Sequence, residues 1–182
     1  MNLIVTGFGA FGTVTDNPSA ILARGCGREC RILEVSYAEA GRFLASTEAR
    51  LADGLLMLGV AVKRTTITPE LFARNHRGKH PDVRGEAPFG EIEPGGPILL
   101  SATIWNQNDL ADWTEHALVH PSLDAGTFLC NDISYRALRA FPDKPVGFLH
   151  VPPFEALHRE EQEARLQKIL LSIEMRFDHP NL

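Results

Sequence analysis

Cysteine is scarce in this sequence. The chain has three cysteines among its 182 residues. So low and odd a number excludes a disulfide framework of the kind that holds small secreted proteins together. The first residues also lack the basic segment followed by an apolar one that is typical of a signal peptide. We therefore expect a protein of the reducing cytoplasm.

Long apolar runs and an excess of basic residues are also absent. No stretch approaches the roughly 20 apolar residues that a membrane helix needs. The formal net charge is −5, from 18 Lys and Arg against 23 Asp and Glu, so the basic surface that attracts nucleic acid or anionic lipid is not expected. We therefore expect neither nucleic acid nor a membrane as a partner. Because repeats and low-complexity tracts are also missing, we expect one domain over residues 1–182.

Short apolar segments alternate with helical patterns along the chain. The predicted strands span residues 3–5, 30–37, 54–62 and 145–151. The first predicted helix begins at Pro18, with Asn17 as its N-cap. Four further helices are predicted over residues 38–52, 109–119, 132–141 and 159–177. Residues 74–97, rich in glycine, proline and charge, are predicted to form a long surface loop. This alternation predicts an α/β three-layer sandwich, with a mainly parallel central sheet and helices on both faces.

The segment "VTGFGAFG", residues 5–12, matches the glycine pattern of dinucleotide-binding loops. That function requires a helix that begins at the glycines and an acidic residue that ends the next strand. The helix signal at Asn17 lies beyond the glycines, however, and Glu34 lies inside its predicted strand. Phe8 and Phe11 are bulky where a backbone must approach phosphate. We therefore favour a tight loop that projects two phenylalanines. Burial of both rings in the core and nucleotide binding are the alternatives.

Three residues have the types that nucleophilic catalysis requires. Cys130 stands at the start of a predicted helix, where the helix dipole and free N–H groups stabilise a thiolate or an oxyanion. His150 is the one polar residue at the carboxyl end of an apolar strand, where sites form in parallel sheets. Glu70 could orient a histidine. The structural alternatives are a buried cysteine, a core histidine and a carboxylate in the first turn of a helix capped by Thr68.

Taken together, four segments resemble the pyroglutamyl peptidase type I (pyrrolidone-carboxylate peptidase) family of cysteine peptidases. They are "TGFGAFG" followed by "NPS", then "GVAVKRTTITPELFARN", "DAGTFLCN" and "HVPP". Their order places a glutamate, a cysteine and a histidine as in that family. The family's α/β sandwich agrees with the fold predicted above.

The resemblance implies a hydrolase that removes an N-terminal pyroglutamyl residue from peptides. It implies Cys130 as the nucleophile, His150 as the general base and then acid, and Glu70 as the group that orients His150. It also implies that three aromatic rings surround the lactam: Phe8, Phe11 and Phe128. Neither a metal nor an organic cofactor is expected, and the resemblance suggests a homo-oligomer.

The long loop departs from the family pattern. The family has a D-A-R-I-P-D-N stretch whose arginine lies near the site, whereas this chain has His80 at that position. The cations that could replace the arginine are Arg77, Lys79 and Arg84. We take His80 and Arg77 as candidates to contribute to the loop or to oxyanion binding. The alternatives are a divergent or weakly active member that cleaves another N-terminal acyl amide, and a catalytically silent module that binds lactams or peptides.

Overall fold

The computed structural model describes residues 1–178. Its strands are β1 (Leu3–Phe8), β2 (Glu29–Leu33), β3 (Gly54–Val60), β4 (Thr68–Pro69), β5 (Phe72–Arg74), β6 (Leu99–Ser101) and β7 (Val146–Val151). Its helices are α1 (Pro18–Gly25), α2 (Tyr37–Ala45), α3 (Thr47–Leu51), α4 (Gln107–Glu115), α5 (Leu129–Ala140) and α6 (Arg159–Asp178). No helix in this range is both long enough and apolar enough to cross a membrane.

The central sheet contains five strands in the order β2-β1-β3-β7-β4. The first four are parallel, and β4 joins the β7 edge in the antiparallel direction. A separate antiparallel pair is formed by β5 and β6. The mainly parallel sheet confirms the prediction. It also brings the carboxyl ends of β1, β3 and β7 to one edge, where α/β proteins bind their ligands.

Helices cover both faces of the sheet, as the apolar run in β3 predicts. Leu55 and Met57 point into a core with α2, α3 and α5, whereas Leu56 and Leu58 point into a second core with α1, α4 and α6. Side chains alternate between the faces of a strand, so a strand buried on both sides must be apolar throughout. The predicted three-layer α/β architecture is correct.

Side-chain caps set several element boundaries. Asn17 caps α1 and Pro18 is its first residue, as predicted. The predicted strand 30–37 is too long, because β2 ends at Leu33 and the Ser36 hydroxyl accepts a hydrogen bond from the Glu39 amide at the start of α2. The predicted helix 38–52 is two helices, because Ser46 ends α2 and caps α3. Serine competes for backbone donors and so favours helix ends.

Two loop regions bear on the site. Residues 75–97 form no helix or strand, and an isolated bridge joins Arg77 to Gly90, which agrees with the predicted long loop. The interpretation of Thr68-Pro69-Glu70 as a helix start is wrong, since Thr68 and Pro69 form the edge strand β4. Proline fits an edge strand because it has no N–H group to donate to another strand on the open side. Edge pairing brings Glu70 beside β7.

Candidate active site

Glu70 and His150 form a direct, buried pair. Nδ1 of His150 lies 2.7 Å from Oε1 of Glu70, and the two residues are only 6% and 2% exposed. The pair forms because Thr68 lies opposite His150 in the β4–β7 ladder and the Glu70 amide donates to the carbonyl of Phe148. A carboxylate that accepts from Nδ1 fixes the ring and leaves Nε2 for proton transfer.

Cys130 approaches His150 from the helix above the sheet. It lies in the first turn of α5, which packs on the same face of β7 as Phe148. Gly59 of β3 lies opposite His150 in the ladder. A Cβ atom placed on Gly59 would stand 3.0 Å from the Cys130 Sγ atom and 2.6 Å from the Phe148 ring. The absent side chain at Gly59 therefore makes room for the sulfur beside His150.

The surroundings of His150 favour its charged form. Burial alone lowers the pKa of His150, because the charged ring loses its hydration. The nearby Cys130 sulfur and the Glu70 carboxylate act in the opposite direction and prevail, so that the pKa of His150 is raised from 6.5 to about 9. A positively charged ring between a thiol and a carboxylate is the arrangement that an activated cysteine needs.

Arg64 contacts the same oxygen of the Glu70 carboxylate as His150 does. Its Nη2 atom lies 3.4 Å from Oε1 of Glu70 and 3.0 Å from Oγ of Ser122. The other carboxylate oxygen, Oε2, is buried without a hydrogen-bond partner among residues 1–178. Arg64 thus shares the charge of Glu70 with His150. Sequence reasoning gave Arg64 no role, because nothing in its spacing reveals the contact.

A small pocket of about 50 Å³ opens beside Cys130. Its walls are mainly aromatic and aliphatic side chains: Phe8, Phe11, Val35, Val60, Phe128 and Leu129. All three phenylalanines of the sequence prediction thus lie around Cys130. Phe128 is the N-cap residue of α5, and its ring forms one wall of the pocket. A pocket this small and apolar suits a compact planar group.

The glycine loop is built to support this pocket. Phe11 and Val14 exchange two backbone hydrogen bonds around Gly12, whose φ of +51° favours glycine. The Asn17 side chain donates to the carbonyl of Gly9 and also caps α1. A side chain on Gly7 would stand 2.3 Å from the carbonyl oxygen of Ser19. Because α1 begins beyond the loop, the geometry that a dinucleotide requires is missing.

Both candidates from the long loop lie close to α5. His80 packs edge-on against Phe128, with ring centroids 5.8 Å apart, and its Nε2 lies 3.3 Å from the Thr127 hydroxyl. It borders an outer cleft of about 420 Å³ that adjoins the Cys130 pocket. Arg77 instead donates from Nε to Oδ1 of the buried Asp132, at 2.6 Å. His80 thus faces the cleft, whereas Arg77 holds the loop on the helix.

Metal ligands do not gather anywhere in residues 1–178. No group of three or more His, Cys, Asp or Glu side chains in this range could hold a metal ion. The acidic and histidine side chains of the site are Glu70 and His150, which bind each other.

Comparison with known proteins relates the chain to one family. The family model described as pyroglutamyl peptidase matches residues 1–175. A pyrrolidone-carboxylate peptidase of Streptococcus suis is 32% identical over 167 residues, which cover 84% of this chain and 78% of that protein. A pyrrolidone-carboxylate peptidase of Levilactobacillus brevis is 34% identical over 170 residues, which cover 84% of this chain and 82% of that protein.

Solved structures give the same result. The crystal structure of pyrrolidone carboxyl peptidase from Thermus thermophilus has 33% sequence identity and a TM-score of 0.78, and the match covers 92% of this chain and 98% of that one. The Thermococcus litoralis pyrrolidone carboxyl peptidase, at 22% identity, has the same fold with a TM-score of 0.85 over 98% of this chain and 96% of that one. Fold, sequence relatives and the whole-length family match lead to one conclusion: the chain belongs to the pyroglutamyl peptidase family.

Proposed function

We propose that Cys130, His150 and Glu70 of this cysteine-type pyroglutamyl peptidase hydrolyse the amide bond after an N-terminal pyroglutamyl residue. The observation that carries the proposal is the buried 2.7 Å contact between Glu70 and His150, next to the Cys130 sulfur. A thiol, a charged imidazole and an orienting carboxylate are the three parts of a nucleophilic triad.

The first half-reaction forms a thioester. The Cys130 thiolate attacks the carbonyl carbon that joins pyroglutamate to the next residue, and the carbonyl oxygen becomes an oxyanion. His150 then gives its proton to the leaving nitrogen, the C–N bond breaks, and the shortened peptide departs with a free amine. Glu70 keeps the ring oriented for this transfer.

The second half-reaction releases pyroglutamate. His150, now neutral, takes a proton from water, and the resulting hydroxide attacks the thioester carbon. The C–S bond breaks, Cys130 leaves as a thiolate, and His150 again carries its proton. All atoms are accounted for by the substrate, one water molecule and the three side chains, so the reaction requires no metal or organic cofactor.

The start of α5 supports the oxyanion step, and the aromatic walls of the pocket support the choice of substrate. The first N–H groups of a helix have no partner within the helix, and those at the start of α5 surround Cys130, where they could donate to the oxyanion. The walls formed by Phe8, Phe11 and Phe128 match the neutral, compact lactam ring. His80 borders the opening of this pocket and is our candidate for a further contact with substrate.

The decisive experiment is release of a fluorophore from a pyroglutamyl-arylamide under reducing conditions. Wild type should turn over, and Cys130→Ala should not. Cys30→Ala is the matched control, because Cys30 lies in β2, far along the chain from α5. Absence of turnover in reduced wild type would favour a relative that cleaves another acyl amide. Binding of pyroglutamyl peptide without turnover would favour a silent binding module.

Thiol reactivity gives an independent test. Cys130 is partly exposed, whereas Cys26 is buried and burial raises the pKa of its thiol. Iodoacetamide near neutral pH should therefore modify Cys26 last. Cys30 is as accessible as Cys130, but only Cys130 has the charged His150 ring beside it, so Cys130 should react first. Equal rates at all three cysteines, followed by peptide mass mapping, would contradict Cys130 as the nucleophile.

We also propose that the protein works in the cytoplasm. All three cysteines are free, and a thiol nucleophile is active only while it is reduced. The substrates are peptides that carry an N-terminal pyroglutamyl residue.

A further inference from the structure

The parts of the site follow the order of the strands along the carboxyl edge of the sheet. Val35 comes soon after β2, Phe8 ends β1, Val60 ends β3, and His150 lies near the end of β7. Because the strand order is β2-β1-β3-β7-β4, the ring pocket lies over β1 and β3. The proton donor His150 lies one strand further on. The substrate therefore has a direction across the sheet.

That direction locates the leaving group. His150 must protonate the leaving nitrogen, so the nitrogen and the peptide behind it lie toward β7. The outer cleft at His80 lies on the other side of the ring pocket, where it shares Phe11, Val35 and Phe128 with that pocket. It therefore adjoins the ring end of the substrate rather than the peptide end.

A second groove lies on the peptide side. It has a volume of about 470 Å³ and meets the ring pocket at Val60, which lines both. The side chains that concern us here are Thr15, Asp16, Val60, Val62, Phe154 and Glu155. They come from the glycine loop, the end of β3 and the segment after β7. The groove thus begins where the leaving peptide must go and is large enough for at least one residue.

The charge of this groove is negative. Asp16 and Glu155 are both exposed on its walls, and neither forms an ion pair within residues 1–178. No lysine or arginine of the described range lines the groove. In contrast, the acidic Glu34 near the other cleft is neutralised by Arg84. The two groove carboxylates therefore remain available to a cation.

Given the function proposed above, we propose that this groove binds the residue that follows pyroglutamate and favours a positively charged side chain there. Phe154 and Val62 contact the aliphatic part of the side chain, and Asp16 and Glu155 attract its charged end. A substrate with a carboxylate at the same position meets two like charges. The groove thus determines which pyroglutamyl peptides are cleaved fastest.

The test uses three pyroglutamyl dipeptide amides, with arginine, glutamine or glutamate after the lactam. The released amino acid amide gives kcat/KM for each. Wild type should cleave the arginine substrate roughly five-fold better than the glutamate substrate, the range expected for exposed charge pairs. The difference should shrink at high salt, which screens exposed charges.

The variant Asp16→Asn/Glu155→Gln should lose most of this preference, so that its ratio of kcat/KM for the arginine substrate to kcat/KM for the glutamate substrate falls toward one. Glu86→Gln, which removes an exposed carboxylate from the 74–97 loop, is the control and should keep the preference. Equal rates for all three substrates in wild type, or an unchanged preference in the double variant, would overturn the groove assignment while leaving the proposed function intact. Failure of wild type to cleave any of the three would overturn both.

Discussion

Nε of Arg77 lies 2.6 Å from Oδ1 of Asp132, and this contact fastens the 74–97 loop to the helix that carries Cys130. Asp132 is fully buried, and Arg136 binds its second oxygen at 3.3 Å. Asn131 adds two hydrogen bonds from its amide to the carbonyls of Arg74 and His76. The loop that departs most from the family sequence is therefore attached to the residues that directly follow Cys130.

Asp132→Asn should lower the free energy of unfolding by about 3 kcal/mol, because it leaves two arginines without their buried partner. Denaturant unfolding measures the change. Glu93→Gln is the matched control, since the Glu93–Arg139 pair is about 40% exposed on both sides and should contribute below about 1 kcal/mol. Trypsin should also cut the loop faster at Lys79 and Arg84 in the Asp132 variant. Equal losses in both variants would contradict a special role for the buried pair.

Glu70→Gln should reduce kcat by about 10²-fold or more, because an amide cannot hold the charged ring as a carboxylate does. KM should change little, since Glu70 does not line the ring pocket. Steady-state kinetics on the arylamide separates the two parameters. Turnover at the wild-type rate would remove Glu70 from the mechanism.

The raised pKa of His150 predicts a pH dependence of stability. Its folded-state pKa of about 9 exceeds its ordinary value of 6.5, so the charged ring stabilises the fold. That contribution is complete below pH 6.5 and is lost as the pH rises through 9. Unfolding measured across this window should show a smaller loss in Glu70→Gln than in wild type. His116→Gln, which removes an exposed histidine, should leave the wild-type profile unchanged.

Gly59→Ala should disturb both packing and catalysis. Its new methyl group would stand 2.6 Å from the Phe148 ring and 3.0 Å from the Cys130 sulfur. We expect a loss of about 1–3 kcal/mol of stability from overpacking, and a fall in kcat as the sulfur moves away from His150. Gly25→Ala is the control, because its methyl group would meet the nearest atom at 3.6 Å. A fully active and stable Gly59→Ala variant would contradict a steric conflict between the new methyl group and the Cys130 sulfur.

Much of the fold follows from local sequence signals. The apolar run around Leu55–Leu58 predicts a strand buried on both faces, and Asn17-Pro18 predicts the start of α1; both predictions are correct. The missed break at Ser46 is also local, since its hydroxyl caps the second helix. These features depend on neighbours within a few residues, which periodicity and capping rules describe.

The contacts of the site, unlike these local features, join residues that are far apart in the sequence. Glu70 and His150 are 80 residues apart, and Arg77 and Asp132 are 55 apart. The short strand that positions Glu70 has two residues and no periodicity of its own, so local rules favoured a helix start there. Pairing with β7 decides its conformation, and only the folded sheet supplies that partner. The resemblance to the family, and not the spacing of residues, is what implies a role for Glu70.

The antiparallel strand β4 has a consequence for the time at which activity arises. It pairs with β7, one of the last elements of the chain, although Glu70 is synthesised 80 residues before His150. A ribosome-bound chain that has emerged only as far as α5 contains Cys130 and Glu70, but it lacks His150 and the strand β7 with which β4 pairs. By the proposed mechanism, such a nascent chain is inactive toward peptides, and activity begins only when the sheet is complete.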